Sequence, residues 1–156
     1  MTQQTTAATG QSLPEQLVGN NTPDNFAFQL LWTLARWAVG ALMIHNGIDK
    51  LGDVQGFADN VVAFMGLPFP IILTYLAAYT EIFASILLML GFFTRLNAVA
   101  LLGTMAVAIF FHLKADGLQV GPLETASLYA TFYSAFLVGG SGLWSIDALI
   151  ASKFKG

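Results

Sequence analysis

Long apolar stretches alternate with short polar ones along most of the chain. Four apolar stretches, roughly residues 26–48, 68–90, 96–113 and 123–140, approach the length of about 20 residues that a helix needs to cross a bilayer. Turn and charge signals bound them, such as DKLGD after the first stretch and GFFTRLN between the second and third. The pattern predicts an all-α integral membrane protein whose four spanning helices form a bundle.

A more polar segment, DVQGFADNVVAFMGLP, lies between the first and second stretches. Its apolar residues Phe57, Val61, Phe64 and Met65 recur at helical spacing, and polar residues fill the other side. Because the segment is too short and too polar to span, we predict an amphipathic helix in the membrane interface. A lid over the bundle is the favoured interpretation, and a gate or a partner surface is the alternative.

The chain begins with a polar segment that differs from the rest. The first 25 residues contain no lysine or arginine and no apolar run of the length of a signal peptide. They therefore do not resemble a cleaved secretory signal. We predict a disordered polar tail over residues 1–25 and a four-span membrane domain over residues 26–156.

Composition supports a lipid environment and excludes several kinds of chemistry. Hydrophobic residues make up 56% of the chain and charged residues 10%, against roughly 45–50% and about 25% in soluble domains. Membrane lipids are therefore the predicted surroundings. The absence of cysteine excludes disulfides, thiolate metal sites and cysteine-ligated clusters. Six scattered basic residues and a net charge of −3 predict no nucleic-acid partner.

Two charged residues, Arg36 and Glu81, fall within the first and second apolar stretches. An isolated charge at mid-depth costs about 2.5–3.5 kcal/mol even on lenient insertion scales, so both side chains should face the bundle interior. Arg36 shares one helical stripe with Gly40, Gly47 and Lys50, and small residues surround Glu81. We predict a buried polar core containing Arg36 and Glu81, with pairing between them as one arrangement. Structural and functional roles for this core stay equally open.

Near the ends of three predicted spans, ionisable residues come to a similar depth. The stretch MAVAIFFHLK, residues 105–114, places His112 at the end of the third predicted span. Glu124, at the start of the fourth span, and Lys50, at the end of the first, lie on the same side of the membrane at a similar depth. Histidine and lysine can donate to the carbonyl oxygens of a quinone, and a carboxylate can exchange protons with it. His112, Glu124 and Lys50 are therefore predicted ligand-binding residues, with quinone as the predicted cofactor and the catalytic residues left unassigned.

Other interpretations of this cluster stay open. The three side chains could form a hydrogen-bonded network that only satisfies polar groups. No metal is predicted, because even an open catalytic zinc site has three protein ligands. A haem between two histidines is disfavoured, since His45 falls on the opposite helical face from the glycine stripe and is expected to point toward lipid or a partner.

Several runs together resemble the DoxX family of small bacterial membrane proteins. They are RWAVGALMIHNGIDKL, GLPFP, AAYTEIFASILLMLGFFTRLNAVAL, MAVAIFFHLKADG and, near the end, GPLETASL with GGSGLWSIDALI. They follow the order and spacing of the family over about residues 30–150. The family's polar positions correspond here to Arg36, Lys50, Glu81, Arg95, His112, Glu124 and Asp147.

The resemblance implies a four-helix membrane bundle related to the DoxD-type subunit of thiosulfate:quinone oxidoreductase. That subunit works with a partner to pass electrons from sulfur compounds to quinone. The implied function is a membrane subunit of a quinone-linked redox complex, enzymatic only together with other membrane protein subunits. The alternative is a non-catalytic structural or assembly subunit of a respiratory or photosynthetic complex.

The implied location is a bacterial plasma membrane or internal membrane. Four spans place both termini on one side, which carries Arg95, Lys153 and Lys155, whereas the other side carries Lys50 and Lys114. The positive-inside rule therefore predicts cytoplasmic termini.

Overall fold

The structure, a computed structural model, describes residues 13–154, and these are helical without any strand. The predicted all-α class is confirmed. In chain order the helices are α1 (Leu13–Val18), α2 (Phe26–Gly52), α3 (Val54–Phe57), α4 (Pro70–Leu90), α5 (Thr94–Ala115), α6 (Val120–Gly139) and α7 (Ile146–Phe154). A π-helical turn, Ala58–Ala63, continues α3.

Within the described range, three helices are long and apolar enough to cross a membrane: α2, α4 and α5. The fourth predicted stretch forms α6, which has 20 residues and is not among these three. Large apolar side chains cover the outside of the bundle; Leu31, Leu42, Leu76, Phe83 and Val138 each expose more than half of their surface. Such a surface suits acyl chains, and the chain is a membrane protein.

Helices α2 and α4 pack antiparallel through the predicted glycine stripe. Gly40 lies against Ser85, and Gly47 lies against Ala78 and Ile82. A Cβ atom added to Gly47 would come within 2.7 Å of the Ile82 side chain and 2.8 Å of the Ala78 carbonyl oxygen. The missing side chain therefore lets the two helices approach closely, as small residues do in membrane bundles.

The helices α5 and α6 complete the bundle around one apolar core. Met43 and Leu88 come from the α2–α4 pair, whereas Leu101, Tyr133 and Phe136 come from α5 and α6, and all five are buried. The bundle has two ends. The lid end contains the end of α2 and the start of α4, and the α7 end contains the turn between α4 and α5.

At the lid end, the lid segment (residues 53–69) folds over the bundle as α3 and the π-helical turn. Its Val62 and Met65 are buried, whereas Phe64 is exposed on one side. The Lys114 Nζ atom donates to the carbonyl oxygens of Phe64, at 3.0 Å, and Met65, at 3.3 Å. A lysine on the last turn of α5 thus attaches the end of the lid segment to the bundle.

At the α7 end, buried polar groups fasten α7 and the segment before it. The Arg36 guanidinium donates to the carbonyl oxygen of Ser141 and, at 2.7 Å, to that of Trp144. The Asp147 carboxylate accepts from the backbone N–H groups of Phe93, at 2.7 Å, and Thr94, at 2.9 Å, where α5 begins. A carboxylate at a helix N-terminus is favoured by the helix dipole, so Asp147 joins α7 to α5.

The predicted disordered tail falls partly outside the described residues, which begin at Leu13. In its described part, α1 is helical where the sequence predicted disorder. Its last residue, Val18, is buried, and α1 packs against α5 and α7, contacts that local composition does not reveal. The Asn21 N–H donates to the Gly139 carbonyl oxygen at 2.9 Å, and Thr22 accepts from the Gln29 side chain at 2.8 Å. The boundary between tail and membrane domain stays a prediction.

Candidate functional site

A cavity of about 600 Å³ lies beneath the lid segment, among α2, α4, α5 and α6. Most of its wall is apolar, with Met43, Leu73, Val107 and Phe111 among the contributors. Polar side chains also reach it: Asn46, Lys50, Thr80, Glu81, Thr104, His112, Thr125 and Tyr129. The cavity therefore has the character of a small-molecule site, an apolar pocket with a few polar groups that fix orientation.

An ion pair between Lys50 and Glu81 forms the polar centre of this wall. The Lys50 Nζ atom lies 2.7 Å from Oε2 of Glu81, and the Glu81 side chain is only 2% exposed. The same ammonium group contacts the Asn46 carbonyl oxygen at 3.4 Å and lies 5.2 Å from the centre of the Phe57 ring. The Phe57 ring of the lid segment thus covers one side of the Lys50 ammonium group.

The close approach at Gly47 explains how Lys50 reaches Glu81. A Cβ atom on Gly47 would lie 3.3 Å from the Glu81 Cβ atom, so α2 and α4 nearly touch at this level. Lys50 follows about one helical turn later on the same stripe and extends back to the carboxylate. Burying two charges is costly unless they pair well, so this contact needs the close helix packing.

Arg36 and Glu81 are both buried, but they do not pair with each other. Glu81 lies level with Gly47, and Arg36 lies about 16 Å further along α2, at 1.5 Å per residue. In the sequence analysis the first two spans were treated as equally long, and on that basis Arg36 and Glu81 were placed at the same depth. In fact α2 has 27 residues against 21 in α4, and the extra length at the α7 end carries Arg36 toward Ser141 instead.

His112 lies half-buried on the last turns of α5 and lines the cavity. Its Nδ1 atom is 3.2 Å from Oδ2 of Asp116. This contact orients the ring and leaves Nε2 as the ring nitrogen that can meet a ligand. Asp116 was missed by the sequence reasoning, although its spacing four residues after His112 was a visible signal.

The structure does not bring Glu124 to Lys50 and His112. Glu124 is exposed and lines a separate shallow groove with Leu118 and Val120. The reason is helical phase, because α6 turns Ala126 and Tyr129 toward the cavity and so directs Glu124 outward. Glu81 is the carboxylate that actually lines the cavity.

In the described part of the chain, the other ionisable residues that the sequence analysis considered do not add a second site. His45 lies on the outside of α2 with a 3.4 Å contact to Asp49, as its helical phase predicts. Among residues 13–154, no group of three or more His, Asp and Glu side chains is close enough to hold a metal ion. Asn46 and Tyr129, which the sequence reasoning did not select, add polar groups to the cavity wall.

Comparison with known proteins places the chain in a family. The DoxX family model matches residues 31–113, which is more than half of the chain. The chain belongs to the DoxX family. The matched part contains most of α2, all of α4 and most of α5, together with Lys50, Glu81 and His112, so the cavity lies mainly in the family's shared region. Glu124 and Asp147 lie beyond it.

Two relatives of this DoxX protein are bacterial. It is 37% identical to the inner membrane protein YphA of Escherichia coli (strain K12) over 98 residues, which cover 60% of this chain and 68% of YphA. It is 40% identical to an uncharacterized protein of Haemophilus influenzae over 76 residues, which cover 46% of this chain and 57% of that protein. No solved structure matches the chain.

Proposed function

We propose that this DoxX protein binds a quinone in the cavity beneath the lid segment, as a membrane subunit of a quinone-linked redox complex. The observation that carries the proposal is the Lys50–Glu81 ion pair, with its 2.7 Å contact, in the wall of a largely apolar cavity. Desolvation offsets much of the attraction within a buried ion pair, so the pair adds little stability, and ionisable residues on membrane helices are functional candidates by default.

The residues present fit a quinone. A volume of about 600 Å³ lies within the range of about 300–1,000 Å³ typical of small-molecule and cofactor pockets. The apolar wall suits the ring and a hydrocarbon tail. Quinone carbonyl oxygens need hydrogen-bond donors, and Lys50 supplies an ammonium group while His112 supplies a ring nitrogen.

The chain's own groups would bind the ring and handle protons. A bound quinone supplies the electron chemistry. Lys50 holds one carbonyl oxygen by donating from Nζ, and Glu81 holds or releases a proton beside it. His112, oriented by Asp116, donates from Nε2 when protonated and accepts when neutral. The Phe57 ring of the lid segment lies beside the Lys50 ammonium group and limits its contact with water.

We further propose that the protein crosses the membrane four times. We assign α6 as the fourth, since it has 20 residues and packs along α5 between two short connections. Both ends of the chain then lie on one side of the membrane. Arg95 and Lys153 are on that side and favour the cytoplasmic face, in keeping with the positive-inside rule.

A titration with a quinone tests the proposal. In lipid nanodiscs, Glu81→Gln and His112→Ala are each expected to weaken binding about tenfold, because the first removes the charged partner that holds Lys50 and the second removes a ring nitrogen that contacts the quinone. Glu124→Gln is the matched control, since this carboxylate lines a separate groove, and it should bind as the wild type does. Unchanged affinity in both cavity variants would contradict the quinone site.

A structural or assembly role is the second candidate, and one observation favours it. Tyr75, Tyr79 and Phe83 form a stacked row on α4, with ring centroids 6.1 Å and 6.0 Å apart. All three side chains are exposed, which suits a flat contact with a neighbouring membrane subunit. The same titration separates the two candidates, because a purely structural subunit binds no quinone.

A further inference from the structure

The cavity is open on one side, between α4 and α5. Leu76 of α4 and Val107 of α5 both line it, yet their side chains are 61% and 46% exposed. The same two residues therefore contact both the cavity and the outside of the bundle. Nearer the turn that joins α4 and α5, the buried residues Leu88, Ala98 and Leu101 close the space between them.

The opening lies at the depth of acyl chains. Leu76 is about 9 Å from the start of α4, and Val107 is about 12 Å from the end of α5, at 1.5 Å per residue. The hydrocarbon core is about 30 Å thick, so both positions lie inside it if these helices span the bilayer. The opening therefore faces lipid, and the lid segment covers the end that faces water.

Small residues leave this opening unobstructed. Ala77, Ala100 and Gly103 line the cavity here. A Cβ atom added to Gly103 would meet nothing within 4 Å. Gly103 is also exposed, so the gap beside it continues from the cavity to the outside.

We infer that the cavity takes a lipid-borne ligand, whose head group lies at Lys50 and His112 and whose hydrocarbon tail leaves through the gap beside Gly103. This inference rests on the proposed quinone site and names the class of quinone, one with a long apolar tail. The ligand reaches the site sideways from the bilayer, between α4 and α5. The polar wall thus contacts the head group of such a molecule, and the apolar gap contacts its tail.

Substitution at Gly103 tests the inference. Gly103→Phe fills the gap, and Gly121→Phe is the matched control, because Gly121 also has open space around it but lies on α6 outside the cavity wall. Each protein, in nanodiscs of one lipid composition, is titrated with a dimethoxy-methyl-benzoquinone bearing a decyl tail and with the same head group without a tail. Expressing each affinity relative to wild type cancels the partitioning of the ligands into lipid.

Gly103→Phe should weaken binding of the tailed quinone about tenfold, equivalent to the lost burial of about two methylene groups. It should change binding of the tail-less head group by less than about twofold, which also shows that the variant is folded. Gly121→Phe should change neither. Equal effects of Gly103→Phe on the two ligands, or none on either, would overturn the lateral path while leaving the quinone site in place. Failure of both ligands to bind the wild type would overturn both.

Discussion

Replacing Arg36 with methionine is expected to lower the free energy of unfolding by about 3–5 kcal/mol, because one buried and one partly buried carbonyl group lose a charged donor. Those carbonyls belong to Ser141 and Trp144, in the segment that leads into α7. The arginine side chain is only 1% exposed, so water cannot replace its hydrogen bonds without opening the bundle. Unfolding in mixed detergent micelles, followed by circular dichroism, measures the change.

Arg95→Met provides the matched control at the same end of the bundle. The Arg95 guanidinium donates to the carbonyl oxygens of Gly19 and Val138, each at 3.3 Å. These contacts are longer and partly exposed, so we expect a loss of about 1 kcal/mol. Equal losses of stability in the two variants would contradict the claim that Arg36 fastens the segment before α7.

A second large effect is expected at the ion pair of the cavity. Lys50→Met or Glu81→Met alone should lower the free energy of unfolding by about 3–5 kcal/mol, because each leaves one buried charge without its partner. The double variant removes both charges and should return to within about 1 kcal/mol of the wild type. The double-mutant cycle, measured by the same unfolding method, gives the coupling between the two side chains.

Quinone binding should not follow stability in this series. The double variant regains its stability but has lost both polar groups from the cavity wall, so its affinity for quinone should stay at least about tenfold below the wild type. A double variant that is stable and binds normally would identify the pair as purely structural. A double variant less stable than either single variant would contradict the claim that the charges of Lys50 and Glu81 compensate each other.

For α2 and α4, helical phase along the sequence was sufficient to predict which faces are buried. Gly40 and Gly47 share a stripe with Arg36, and that stripe packs against α4. Thr74, Ala78 and Ser85 surround Glu81 and are buried with it. Membrane helices have few ways to hide charges and few ways to approach closely, so the positions of charged and small residues indicate the interior directly.

The partners of the charged residues could not be predicted, because they depend on how far one helix is displaced along another. A sequence gives the order of residues within each span but not the register between spans. The close contact of α2 and α4 at Gly47 sets Lys50 and not Arg36 beside Glu81. The fit of Arg36 to the carbonyls of residues 141–144 depends on a segment more than a hundred residues away.

The position of Glu124, away from Lys50 and His112, has a related cause. Depth alone suggested that Glu124 joins Lys50 and His112, but depth does not determine which way a side chain points. The apolar pattern of α6 is nearly uniform around the helix, so its sequence gives little sign of its orientation. Only the packing of Ala126 and Tyr133 against the bundle fixes that direction.

Photoaffinity labelling with an azidoquinone tests the central claim most directly, because it reports where a quinone lies in the folded protein. The protein in nanodiscs is irradiated with the probe, with and without an excess of unmodified quinone, and the labelled peptides are identified by mass spectrometry. We predict labelling, suppressed by the competitor, on residues 43–50, 76–81 and 103–112, which supply much of the cavity wall. Labelling confined to the groove around Glu124, or spread over the exposed faces and insensitive to competitor, would contradict a quinone site beneath the lid segment.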